Sequence, residues 1–206
     1  MKLFTSTILL LALASNALAA SKHPEIEHGL EKVTCGSMIK LANVDTGYKL
    51  HSHTVAYASG SGQQSVTALS SSVDANSFWK VQASYGRGCL RGEPIPCGAT
   101  IRLHHVGTKG YLHSHHHNSP LSHQQEVSCF DKEDTGDDWR VVCTGKSKEW
   151  MREESVRLVH VETKKYLSTS PRYTFAAPIS GQLEVSCGGK DGSITLWAAQ
   201  EGVYFA

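Results

Sequence analysis

The chain has 206 residues, 20 lysines and arginines against 19 acidic side chains, 40% hydrophobic residues and 19% charged ones. That length makes one domain or two small ones with a buried core, and the composition excludes a disordered tail or an acidic solvating segment. The near-neutral balance leaves no electrostatic footprint for nucleic acid or an anionic membrane surface.

Residues 1–19 form the first element. Lys2 precedes the apolar run Ile8 to Ala14, and Ala17-Leu18-Ala19 supplies a small-residue cleavage site. This is the layout of a secretory signal peptide cut after Ala19. A membrane anchor needs about 20 apolar residues, and the run is shorter, so no membrane insertion is expected. In an oxidising compartment Cys35, Cys89, Cys97, Cys129, Cys143 and Cys187 become disulfide candidates. They contain no Cys-x-x-Cys, and spacing alone does not choose among the possible pairings.

The remainder reads as three copies of one unit, over 30–84, 92–147 and 148–202. Copy one opens with Ile39-Lys40-Leu41, copy two with Ile101-Arg102-Leu103, copy three with Val156-Arg157-Leu158. Apolar, basic, apolar is the alternation of a half-buried strand with its charge turned to solvent. Nine residues later come Leu50, Leu112 and Leu167; between them Val44, Val106 and Val161 are each followed two residues on by Thr46, Thr108 and Thr163 at a turn. Gln63, Gln124 and Gln182 each precede a valine by three residues, and Trp79, Trp139 and Trp197 follow that valine by 13, 12 and 12. Gly/Ser/Pro-rich loops separate the halves.

Each copy predicts about four short strands and no helix. Three units are too few for a typical propeller, and an open sheet of that size would leave exposed edges. The expected architecture is all-β: a closed, pseudo-threefold β-trefoil in one compact domain, with Trp79, Trp139 and Trp197 as core anchors.

These repeats resemble MIR motifs, and the whole mature chain resembles the stromal cell-derived factor 2 family, which consists of three such motifs and little else. The matching stretches include Val33-Thr34-Cys35-Gly36-Ser37, Leu50-His51-Ser52-His53, Leu112-His113-Ser114-His115-His116, Asp137-Asp138-Trp139 and Pro178-Ile179-Ser180-Gly181-Gln182. The resemblance implies a β-trefoil in the endoplasmic reticulum lumen. It also implies a role beside a lumenal J-domain cochaperone and a BiP-type chaperone, with misfolded proteins as clients and O-mannosylated glycoproteins as a further partner class. Vertebrate members end in a retention tetrapeptide; Tyr204-Phe205-Ala206 is not one, so retention through a partner, or secretion, is expected. Cys129 and Cys187 fall where the family has no expected cysteine. Of the other four, Cys35 with Cys89 and Cys97 with Cys143 would each tie the start of a repeat to its own end, alike in copies one and two.

Seven of the twelve histidines lie between His104 and His123. On a strand His51 and His53 share one face, as do His113 and His115, a geometry open to zinc or copper. Copy three has Ser168-Thr169-Ser170 there, and no acid or cysteine completes a set. The reading is a polar barrel-end strand offering His51, His53, His113 and His115 as a binding surface, with no metal and no cofactor. Clustered imidazoles there would charge together near pH 6.5.

No nucleophile elbow, zincin motif or phosphate loop occurs. Asp137-Asp138 and Glu153-Glu154 are adjacent pairs whose members point to opposite faces of a strand, and read as solvated turns. In the O-mannosyltransferases catalysis belongs to membrane domains, so the MIR unit brings no transferase activity. Two binding functions remain: a non-catalytic chaperone-complex subunit, and a lectin-like module for mannose-type glycans. For the second, Gln63, Gln124 and Gln182 are repeat-equivalent, but a structural hydrogen bond is the expected role.

Overall fold

The computed structural model describes residues 26–206; the expected leader, 1–19, lies outside them. The described residues hold twelve strands and three short 3-10 turns. Copy one supplies β1 (Met38–Asn43), β2 (Lys49–Ala56), β3 (Gln64–Leu69) and β4 (Phe78–Ala83). Copy two supplies β5 (Thr100–His105), β6 (Tyr111–Asn118), β7 (Gln125–Phe130) and β8 (Trp139–Cys143). Copy three supplies β9 (Ser155–His160), β10 (Tyr166–Thr174), β11 (Leu183–Gly188) and β12 (Trp197–Val203).

Pairing repeats with the sequence. The first strand of each copy lies antiparallel to the fourth, β1 to β4, β5 to β8 and β9 to β12. Fourth strands pair onward, β4 to β5, β8 to β9 and β12 back to β1. These six strands therefore close into a ring without an edge, which removes the hazard of an unpaired ladder. The second and third strands of each copy form hairpins. The hairpins meet at one end of the ring, β3 against β7, β7 against β11 and β11 against β3.

The other end is closed by three backbone segments that hydrogen-bond in a cycle. Val33 N–H donates to the Trp150 carbonyl (2.8 Å), Trp150 N–H to Ile95 (2.8 Å) and Ile95 N–H to Val33 (3.0 Å). Trp150, the one tryptophan outside the repeat landmarks, is fully buried and plugs this end.

Trp79, Trp139 and Trp197 are all fully buried. Each indole N–H donates to the carbonyl of its own copy's landmark leucine, Leu50 (2.9 Å), Leu112 (2.8 Å) and Leu167 (3.0 Å). One side chain thus fills the core and ties the fourth strand to the second, satisfying its only polar group.

The expected outward charge on the first strands is a correction. Lys40 and Arg102 are only 3% and 7% exposed. Lys40 Nζ reaches the Ser72 carbonyl and Glu201 (2.8 Å). Loop segments cover the outer face of these strands, so both faces are packed. Asp137, read as part of a solvated turn, is fully buried as well.

Candidate functional site

Polar side chains at repeat-equivalent places fall into three sets. The first caps the turn after each opening strand. Asn43 Oδ1 accepts from the Thr46 N–H and hydroxyl (both 3.1 Å), while its Nδ2 donates to the Ile194 and Leu196 carbonyls. His105 and His160 do the same work with a ring. Each Nδ1 accepts the N–H of Thr108 or Thr163, and each Nε2 donates to a backbone carbonyl, Asn76 (2.8 Å) or Gly136 (3.0 Å). Burial pushes both imidazoles below their usual 6.5.

The second set holds the residues expected to offer a binding surface. His51 and His113 are buried, 4% and 5% exposed, and turn inward. His51 Nδ1 meets Asp74 Oδ2 at 2.8 Å, and His113 Nδ1 meets Asp137 Oδ1 at 2.9 Å. His53 and His115 remain half-exposed at the hairpin end, His53 against Gln182 (3.2 Å) and His115 against Glu126 (3.0 Å). Ligand atoms of His113, Asp134 and Asp137 lie within 4.8 Å of one another. Two acids thus stand beside His113, contrary to the sequence reading that none completes a set; both carboxylates also serve a capping box, Asp137 accepting from the Asp134 N–H and Asp134 from the Gly136 N–H. Copy one has Asp74 and Ser77 there, so the ligand set does not recur.

The third set joins the hairpins. Glu126 and Glu184 are almost fully buried. Glu126 accepts from Ser61 of copy one and from His115; Glu184 accepts from the Leu121 and Ser122 N–H groups of copy two (2.7 and 3.0 Å). Gln63 Oε1 accepts from Ser128, and Gln182 Oε1 from Thr67, which is the structural role expected of them. Gln124 departs: its Oε1 is buried without a partner. It faces a polar recess of about 450 Å³ in copy three, also lined by Ser168, Arg172 and Tyr173. In copy two the His113 and Phe130 rings lie 4.8 Å apart, tilted against each other; copy three has Ser168 and Gly188 at the matching places, and Ser168 lines the recess.

Cys35 is bonded to Cys89 and Cys97 to Cys143. Copy three has Arg152 where the others have Cys35 and Cys97, and its guanidinium lies 3.9 Å over the Tyr204 ring. Cys129 and Cys187 are free and buried, at the place where copy one has Ala68. Burial pushes their thiols up to about 11 and about 12.

An open cleft of about 590 Å³ lies beside the Cys35–Cys89 bridge, between β4, β5 and the 84–92 loop. Lys80, Arg87, Arg91 and Arg102 line it, with Tyr111 and Phe205. Arg102 Nε donates to the Ala83 carbonyl (2.9 Å), and its Nη1 pairs with Glu133 (2.5 Å) above the Tyr111 ring. Arg91 lies flat on Phe205 at 3.7 Å. Tyr85 and Leu90, on the same loop, are 47% and 78% exposed. No motif signals this cleft, because its residues come from two copies and from a loop lacking the repeat pattern.

The MIR domain model matches residues 45–187. The stromal cell-derived factor 2-like protein of Dictyostelium discoideum is 44% identical over 204 residues, 96% of both chains. The chain belongs to the stromal cell-derived factor 2 family of MIR-domain proteins. The crystal structure of the SDF2-like protein from Arabidopsis thaliana superposes with a TM-score of 0.82 at 43% identity, covering 84% of this chain and 97% of that one. The chain is also similar to a chain of the Saccharomyces cerevisiae protein O-mannosyltransferase Pmt1-Pmt2 complex bound to the sugar donor. There the TM-score is 0.77 at 30% identity, over 85% of this chain but only 26% of the transferase. The family members carry the names of factors with a MIR domain, not of enzymes.

Proposed function

We propose that this three-repeat protein is a β-trefoil that works in the endoplasmic reticulum lumen as a non-catalytic subunit of a complex between a J-domain cochaperone and a BiP-type chaperone. In that role it binds misfolded clients. The trefoil reading is supported by the six-stranded closed ring with three hairpins at one end. The observation that carries the functional reading is the open cleft bordered by a disulfide-tethered loop, on which Tyr85 and Leu90 stand exposed outside the cleft lining. A pre-shaped surface of mixed charge and apolar area suits protein docking. The histidines and buried acids that could serve chemistry are engaged instead in caps and inter-repeat bonds.

One observation favours a second reading, a lectin-like site for mannose-type glycans. It is the recess in copy three, lined by Gln124, Ser168, Ser170, Arg172 and Tyr173. Pull-down of the mature protein from lumenal extract, with and without free mannose, separates the two. Recovery of a J-domain cochaperone and a BiP-type chaperone, indifferent to sugar, supports docking. Recovery of O-mannosylated glycoproteins alone, released by mannose, supports the lectin.

A further inference from the structure

The cleft carries charge out of proportion to the molecule. The chain as a whole is balanced to within one charge, yet four cations and one carboxylate, Glu133, line this surface. Glu133 is committed to Arg102 and to the Tyr111 hydroxyl (3.0 Å). Among the described residues no carboxylate lies within ion-pair range of Lys80, Arg87 or Arg91. The nearby acids face elsewhere: Asp138 accepts from the Tyr85 N–H (2.8 Å) and Glu93 from the Leu90 N–H (3.0 Å). Both shape the loop, and the α-carboxylate of Ala206 lies beside Gly92; none of the three forms an ion pair with Lys80, Arg87 or Arg91 among the described residues.

The surface is also held in place. Besides the Cys35–Cys89 bridge, Cys35 N–H donates to the Glu93 carbonyl (2.8 Å) and Gly92 N–H to that of Cys35 (3.0 Å). Gly36 has φ +86, and an added Cβ would stand 3.3 Å from Arg91 Cγ, so a glycine there lets the arginine lie across the backbone. Little ordering would remain to be done on binding.

We infer that this cleft docks an acidic segment of a partner protein in which carboxylates alternate with large apolar side chains. The carboxylates would meet the Lys80 ammonium and the guanidiniums of Arg87 and Arg91, and the guanidiniums match them in bidentate fashion. The apolar side chains would cover Leu90 and Tyr85. A sulfated glycan supplies the anions but nothing to cover Leu90. A bilayer surface presents its charge in a plane that a cleft between two strands and a loop does not follow. The inference rests on the docking reading above and names the chemistry of its partner.

The test is fluorescence anisotropy with a labelled peptide of glutamate pairs alternating with leucine and phenylalanine, and with its all-glutamine counterpart. The expected result is saturable binding of the acidic peptide that weakens with salt. Binding should fall about tenfold or more in Arg87→Glu/Arg91→Glu and recover only in part in Arg87→Lys/Arg91→Lys, which keeps the charge but not the bidentate fork. It should be unchanged in Lys146→Glu/Lys148→Glu, exposed charges outside the cleft. Unaltered thermal unfolding of the first variant shows that its fold is intact, since both side chains are exposed. Equal binding by both charge-reversal variants overturns the inference, as does tighter capture of heparin or phosphatidylserine vesicles than of the peptide. If the Arg87→Glu/Arg91→Glu variant loses the peptide yet still recovers the chaperones from extract, the cleft binds acidic segments but the complex docks elsewhere.

Discussion

At the scale of single residues, each repeat solves one problem, capping the turn after its first strand, with whatever side chain fits. Copy one uses Asn43 and copies two and three use His105 and His160. The rings accept an N–H at Nδ1, so a second proton there would face a donor. Burial adds to this and lowers both folded pKa values below 6.5. The unfolded chain then takes up protons that the native rings refuse. Their contribution to stability is complete above about pH 6.5 and is lost as pH falls below it. Urea unfolding at about pH 7.5 and about pH 5.5 should show a lower midpoint at the acid value. His105→Asn/His160→Asn, which copies the solution of copy one, should keep the fold and reduce that difference; an unchanged difference would contradict the assignment. The repeat register aligns Asn43 with His105 and His160, each just before its landmark valine, but does not show that an imidazole takes over both tasks of the Asn43 amide. That emerges from the hydrogen bonds, an N–H accepted at one ring nitrogen and a carbonyl met by the other.

At the scale of elements, the hairpin end is held by carboxylates reaching from one copy to the loop of the preceding one. Glu126 fits because Gly60 has no side chain: a Cβ there would stand 2.0 Å from Glu126 Oε2, and φ is +68. Gly62 has a similar φ of +69 with open space around it. Gly60→Ala should therefore destabilise by clearly more than Gly62→Ala, which carries only the backbone strain of about 1 kcal/mol. Chemical denaturation of the two variants decides this, and equal losses would mean that Glu126 moves aside freely. The strands, the tryptophan anchors and the loops were legible in the sequence because each recurs three times at near-constant spacing. The inward turn of His51 and His113 was not. Alternation along a strand assigns a face but does not say whether that face is solvated, and the 3-10 turns that cover it come from the far end of each copy. Lys40 and Arg102 misled for the same reason.

At the scale of the molecule, closure is covalent in two copies and not in the third. The bridges span sequence separations of 54 and 46 residues, and such bonds contribute about 2–4 kcal/mol each; copy three relies on Arg152 over Tyr204. Buried and raised in pKa, Cys129 and Cys187 should resist alkylation by iodoacetamide in the native, oxidised protein and react once it is unfolded. Mass spectrometry reads the count: no label native and two labels after denaturation are expected, whereas native labelling at either thiol would contradict the packing. The bridge at Cys35–Cys89 also shapes the basic cleft, which links the stability of this end to its proposed role.

The central claim is that the molecule docks a chaperone complex through a protein surface rather than through a glycan. The most direct measurement is calorimetric titration of the purified mature protein with a purified lumenal J-domain cochaperone, with and without free mannose. Saturable binding that mannose leaves unchanged is the predicted result. No binding to the cochaperone, together with saturable binding of mannose-type glycans, would contradict it.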